Sequence, residues 1–244
     1  MSHTVLIPAR RGPFLTVSAV LFVLSALAMI RWSRAMAAGM TMPGGWTLSM
    51  VWMAMPGQTR LGAALGFEGM WIAMMATMML PSLVPTLART RLDALTSAGY
   101  FAVWAAIGAG VYVVGIALAQ AEVRWATLAL VIPIARGVVL VVAGLVQLTC
   151  WKARHLECYR EGCLGVAHPG ASWRRGIALG GYCALCCLPF MAALVVAGMM
   201  NLAVIVLSAL AITLERVARA PVLPARFAGL VVIGAGVFRI LRAG

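Results

Sequence analysis

Apolar and polar positions alternate on a coarse scale: long uncharged runs are separated by short connections that carry arginine. Apolar runs cover about 14–30, 61–87, 98–119, 125–148 and 225–241, and a further stretch from Ile177 to Leu214 has 38 residues without a charge. About 20 apolar residues suffice for one helical crossing of a bilayer. A single helix over that last stretch would be about 57 Å long, against a hydrocarbon core of about 30 Å. It has to break, and Gly198-Met199-Met200-Asn201 is the natural turn, giving segments 177–197 and 200–215. The pattern predicts an all-α, polytopic transmembrane helical bundle of six or seven spans in one domain, 1–244. The lower count applies if the final run lies at the membrane interface.

The first run ends near Ala35-Met36-Ala37, which resembles a signal-peptide cleavage site. Its length, and Arg31 and Arg34 just after it, favour a retained anchor instead. With seven spans, Arg10, Arg11, Arg89, Arg91, the five cations from Lys152 to Arg175, Arg216, Arg219 and Arg226 share one side. Arg31, Arg34, Arg60, Arg124, Arg239 and Arg242 share the other. The richer side is expected to be cytoplasmic and to hold the N terminus. Two connections are long. Segment 31–60 faces outward and carries Met36, Met40, Met42, Met50, Met53 and Met55; segment 150–175 faces the cytoplasm and carries Cys150, His155, Cys158, Cys163 and His168. In a reducing cytosol these thiols are expected to stay unpaired.

Composition sharpens the class. The chain is 64% apolar and 10% charged, with a mean hydropathy of +1.01; such a surface could not be covered with polar groups in water. The formal charge of +13 would suggest nucleic acid in a soluble protein. Here the cations sit between apolar runs, where they set topology and meet anionic head groups, so the bilayer and not nucleic acid is the expected partner. His3, His155 and His168 all fall outside the apolar runs. A bis-His haem core is therefore not expected.

The soft donors carry the remaining chemistry. Met70, Met74 and Met78 recur every fourth residue and share one face of the second span, with Met75 and Met79 as a second row. Thioethers suit Cu(I), although methionine is also an adaptable filler between helices. In the fifth span, Cys183, Cys186 and Cys187 fall at i, i+3 and i+4, again one helix face. That spacing serves metal ligation or thiol–disulfide exchange, while cysteine can also be an inert buried residue. Met191 extends the sulfur-rich side, and His155 with Cys158 offers a weaker pair of ligands in the connection. Arg136, mid-span near Pro133, needs a partner; Glu68, the one acid well inside an apolar run, is expected to pair with it as structural glue or as a gate. Phosphate loops, paired catalytic carboxylates and Ser/His/Asp sets are missing, so nothing marks the chain as an enzyme.

Several stretches resemble a bacterial family known as predicted metal-binding integral membrane proteins. They are Met70-Trp71 through Met78-Met79-Leu80-Pro81-Ser82, Gly99-Tyr100 with Trp104, Gln147-Leu148-Thr149 with Lys152, and Gly181-Tyr182-Cys183 with Cys186-Cys187. Gly198-Met199-Met200-Asn201-Leu202 and Glu215-Arg216 complete the set. The resemblance implies a helical protein of the bacterial inner membrane with a metal site and no established reaction. Leu179, Leu185 and Leu188 stand where that family has His, Gly and Trp, and His155 and Cys158 where it has two close cysteines, so a sulfur-only site is the version implied here.

The favoured expectation is Cu(I) binding, transfer or transport through thioether and thiolate sites: capture by the outward Met-rich segment, then Met70, Met74 and Met78, then the three cysteines. One alternative is a structural or assembly subunit of a larger membrane complex of oxidase or monooxygenase type, with protein partners on the methionine faces. Another is a membrane thiol oxidoreductase using Cys183 and Cys186.

Overall fold

The computed structural model describes residues 11–36, 39–42, 46–52, 57–89, 94–161, 172–218 and 220–243. Within them the chain forms α1 (Arg11–Ala35), a small hairpin of β1 (Gly39–Thr41) and β2 (Thr47–Ser49), then α2 (Arg60–Arg89), α3 (Ala94–Arg124), α4 (Ala126–Gln147), α5 (Cys150–Glu161), α6 (Ser172–Ala197), α7 (Leu202–Val217) and α8 (Val222–Ala243). The fold is all-α apart from the two three-residue strands, which pair antiparallel with Met40 opposite Leu48. Six helices (α1, α2, α3, α4, α6 and α8) are long and apolar enough to cross a membrane. The short one is α7: its 16 residues reach about 24 Å. The last apolar run, α8, is thus among the long helices, and any reduction of the seven segments to six falls on α7.

The 38-residue uncharged stretch divides at Gly198, whose positive φ of 114° ends α6. Asn201 then caps α7 by accepting from the Ala203 and Val204 amides. The connection 150–175 is more ordered than a loop. It contains α5, on which Lys152 and Leu156, one turn apart, turn inward and are almost fully buried.

The helices alternate in direction, which gives the bundle two ends. At the hairpin end, Ser33 Oγ donates to the Met200 carbonyl (2.6 Å) and Trp46 Nε1 to the Ala129 carbonyl (2.9 Å). These bonds tie α1 to the α6–α7 turn and the hairpin to the start of α4. The opposite end gathers the last turns of α2, α4 and α7 with α5 and the first half of α6.

Small residues decide how closely these helices approach. Gly137 and Gly144 of α4 face Gly236 and Gly229 of α8 at heptad spacing, with backbone oxygen 2.6–3.0 Å from where a Cβ would sit. A second seam joins α3 to α6: a Cβ on Gly99 would lie 2.6 Å from the Trp173 carbonyl oxygen, and one on Gly180 would lie 3.0 Å from that of Tyr100. This seam brings Tyr100 against the cysteine face of α6. The core between the helices is sulfur-rich: Met70, Met74, Met75, Met78 and Met79 are buried together with Trp71, Trp104, Cys183, Cys187, Met191 and Met199.

Because the Gly99 contact is with backbone, which cannot rotate away, Gly99→Ala should destabilise the protein by about 1–3 kcal/mol. Thermal unfolding of the detergent-solubilised protein would show it as a lowered midpoint, whereas Gly110→Ala, where a Cβ meets open space, should leave the midpoint unchanged.

Candidate metal centre

Three sulfurs meet between α2 and α6. Met79 Sδ lies 3.9 Å from Cys183 Sγ and 4.0 Å from Cys187 Sγ. The two cysteines are one helical turn apart, so one face of α6 presents both thiols to the Met79 row of α2. Cys183, Cys187 and Met79 are all at most 1% exposed.

A guanidinium closes the group. Arg216, near the end of α7, donates from Nη2 to both Cys183 Sγ and Cys187 Sγ at 3.0 Å, and from Nη1 to Ser82 Oγ at 2.8 Å. Arginine's planar fork can hold several acceptors at once, which a lysine ammonium does with less geometric definition. Tyr100 Oη lies 3.0 Å from Cys183 Sγ on the side of the α3 seam. Ser82 is itself fixed by donating to the Met79 carbonyl at 3.0 Å, so the residue that anchors Arg216 sits within one turn of the thioether.

A second polar group lies behind the thiols. Lys152 Nζ forms an ion pair with Glu215 Oε2 at 2.9 Å, with both side chains almost fully buried. Lys152 also donates to the Cys186 carbonyl and Gln147 donates to Glu215 Oε1. Pro189 lies inside α6 and, lacking an N–H, leaves the Leu185 carbonyl without its helical donor. The Cys186 carbonyl takes the Lys152 ammonium on its second lone pair. A paired charge inside the bundle is tolerable because the partner and the added hydrogen bonds offset desolvation.

The structure distributes the residues expected from sequence unevenly. Cys183 and Cys187 enter the sulfur group. Cys186 is equally buried, but its contact is through the backbone, and no set of three His, Cys, Asp or Glu residues converges as for a metal among the described residues. Met70, Met74 and Met78 are fully buried in the same core. Met191 is buried where α6 borders a cavity of about 610 Å³.

His155 is engaged elsewhere: its Nδ1 is 2.8 Å from the Trp151 carbonyl and its ring lies 4.3 Å from that indole. Cys158 is disulfide-bonded, which corrects the expectation of an unpaired thiol there and removes it as a ligand, because a disulfide sulfur has no thiolate to give; Cys150 of the same connection is free, as expected. Cys163, His168, Met53 and Met55 lie outside the described residues. Glu68 and Arg136 are not brought together: Arg136 stacks over Trp46 at 4.1 Å, the acid whose charge acts on it is Glu122, and Glu68 Oε1 is buried without a hydrogen-bond partner. Arg136 and Glu122 both line the 610 Å³ cavity.

Ligand spacing does not single out Arg216, Tyr100, Ser82, Lys152 or Glu215, and by position in the sequence Arg216 is one more cation of a connection. It is 7% exposed. A signal did exist: each of these residues lies in one of the short stretches that carry the family resemblance, and those stretches converge here. Residues 68–239 match the model of a family described as PpoB2: Copper chaperone. The chain belongs to that family. No curated protein and no solved structure matches it. The matched segment covers α3 to α7, most of α8 and the last 22 of the 30 residues of α2, so it contains the sulfur group, Arg216 and the Lys152–Glu215 pair. Membership of a copper chaperone family points to copper handling, and thiol and thioether sulfur are donors that copper favours.

Removing one member of the buried ion pair leaves the other charge uncompensated. Lys152→Met alone should cost about 3–5 kcal/mol, and the double variant Lys152→Met/Glu215→Leu should be clearly more stable than the single one. Denaturation of the variants in matched detergent checks this, and a double variant no better than the single one would remove the pair as a structural element.

Proposed function

We propose that the protein is an integral membrane copper chaperone that holds Cu(I) at Cys183, Cys187 and Met79. The observation that carries this reading is the approach of one thioether and two thiols, buried together, under a single guanidinium. Thiolate and thioether select Cu(I) over the hard divalent ions, and Met79 adds a donor that needs no deprotonation. The tyrosine and arginine contacts orient the thiols beside Met79, so binding requires little rearrangement of the helices.

The reading extends along the bundle. Met70, Met74 and Met78 form a row on α2 leading toward Met79, and Met36, Met40, Met42 and Met50 lie at the hairpin end. A soft cation moving between weak thioether positions meets no fixed charge on this row, and the thiols form its strongest station. The hairpin and the thiols mark different ends of the bundle, and the disulfide of Cys158 on α5 speaks against the reducing cytosol expected for the thiol end. Recipient or donor proteins would meet copper at one of these ends. The assembly-subunit reading accounts for the methionine row as packing but gives no reason for a guanidinium on two cysteines. The thiol oxidoreductase reading, built on Cys183 and Cys186, is disfavoured because Arg216 joins Cys183 to Cys187.

Metal content after loading with Cu(I) under reducing conditions, measured by mass spectrometry on detergent-purified protein, tests the site. Near-stoichiometric copper is expected in the parent and in Cys186→Ser, and its loss in Cys183→Ser and in Cys187→Ser. Equal copper in the parent and in both of those variants would refute the site. Met79→Leu should weaken Cu(I) by roughly tenfold in competition with a chromogenic chelator. Met74→Leu/Met78→Leu should slow copper exchange at the thiols while leaving the bound stoichiometry intact, and an unchanged exchange rate would confine the α2 row to packing.

A further inference from the structure

We infer that the cavity between α3, α4 and α6 binds one membrane phospholipid whose head group ends in a hydrogen-bond donor, an ammonium or a hydroxyl. The inference does not depend on the thiol site. The cavity measures about 610 Å³, and apart from Glu122 and Arg136 its lining is apolar or glycine. Val114 and Leu118 of α3, Val139 of α4 and Leu188 of α6 line it and are themselves exposed. It therefore opens on the flank of the bundle, among side chains suited to lipid. From Ile107 to Glu122 the α3 wall runs about 22 Å. Half a hydrocarbon core, the depth of one acyl chain, is about 15 Å, so the chamber is long enough to hold such a chain.

The two polar residues define what the head group must carry. Glu122 is 6% exposed, and its Oε2 is buried without a hydrogen-bond partner. A carboxylate oxygen left in that state is costly, and an entering donor removes the cost. Arg136 makes the opposite demand. Its guanidinium sits over the Trp46 ring at 4.1 Å, and a guanidinium fork is matched to a phosphate. Arg239 adds a second positive charge that acts on Arg136, which an anionic phosphate also suits. One molecule meets both demands when its phosphate lies beside Arg136, its terminal N–H or O–H reaches Glu122, and its chain fills the apolar chamber. A fatty acid anion brings no donor. Phosphatidylcholine brings the phosphate and a cation, but its quaternary nitrogen has no hydrogen to give.

Native mass spectrometry of the full-length protein in detergent tests this, after mixing with equal amounts of phosphatidylethanolamine, phosphatidylglycerol and phosphatidylcholine of matched chains. The parent should retain one molecule of a donor-ended lipid. Phosphatidylethanolamine in first place identifies the ammonium as the group read, and phosphatidylglycerol the hydroxyl. Phosphatidylcholine should be retained roughly tenfold less, the factor expected for one hydrogen bond to a charged group. Glu122→Leu should bring the three lipids to equal retention, and Val139→Trp, which fills the cavity mouth, should lower the retention of all three. Phosphatidylcholine held as well as the others by the parent overturns the inference without recourse to a variant, should Glu122→Leu fail to fold. So does the absence of any retained phospholipid, which would leave the Glu122 oxygen to water. A preference unchanged in Glu122→Leu, or retention unchanged in Val139→Trp, overturns it as well.

Discussion

A buried guanidinium on two thiols is the contact around which the rest of this structure is arranged. Placing Arg216 inside an apolar bundle is costly unless its donors are satisfied. The chain satisfies them with residues from separate helices: Ser82 of α2, and Cys183 and Cys187 of α6. The arginine cannot leave without stranding its charge, and the helices cannot separate without stranding the arginine. The same contact therefore closes the bundle at this end and sets the electrostatics of the sulfur group.

The surrounding polar residues protect that arrangement. Lys152 and Glu215 neutralise each other next to Arg216, and Gln147 and the Cys186 carbonyl take up their remaining hydrogen-bonding capacity. Glu215 and Arg216 are adjacent in sequence and serve different groups, one binding α4 and α5 and the other α2 and α6. Through this pair the short helix α7 holds four other helices. Its brevity as a spanning segment fits that role, because its charged end finishes level with the thiols and not beyond them.

The methionines occupy the space between the two ends of the bundle. Thioethers pack well in irregular apolar space, and burial of the α2 rows accounts for their contribution to stability whichever function they serve. Met79 differs from its neighbours because it alone is placed by the helix against both cysteines. The copper site proposed above rests on this difference, because the donors that touch are of the kind suited to copper.

The apolar runs were enough to establish an all-α chain with helices of membrane-crossing length, because length and hydropathy are local properties that translate directly into a helix; that the short segment is α7 and not the last run was not legible there. The soft-donor chemistry was legible for the same reason, since i, i+4 spacing places Cys183 and Cys187 on one face without reference to any other element. Which residue completes the group was not local. Met79 belongs to the second methionine row of α2, and only the placement of α2 and α6 by their shared neighbours α3 and α7 picks it over Met74 or Met78. Arg216 reads in sequence as one more cation at a helix end. Its inward turn depends on two sulfurs and a hydroxyl from other helices being there to receive it. Glu68 and Arg136 show the converse: two opposite charges inside apolar runs looked like partners, but the fold gave Arg136 the Trp46 ring and the charge of Glu122 instead. Periodicity along a helix is written in the chain, whereas the rotation and depth at which helices meet are fixed by contacts such as Gly99 against Trp173 and Gly180 against Tyr100, and these exist only in three dimensions.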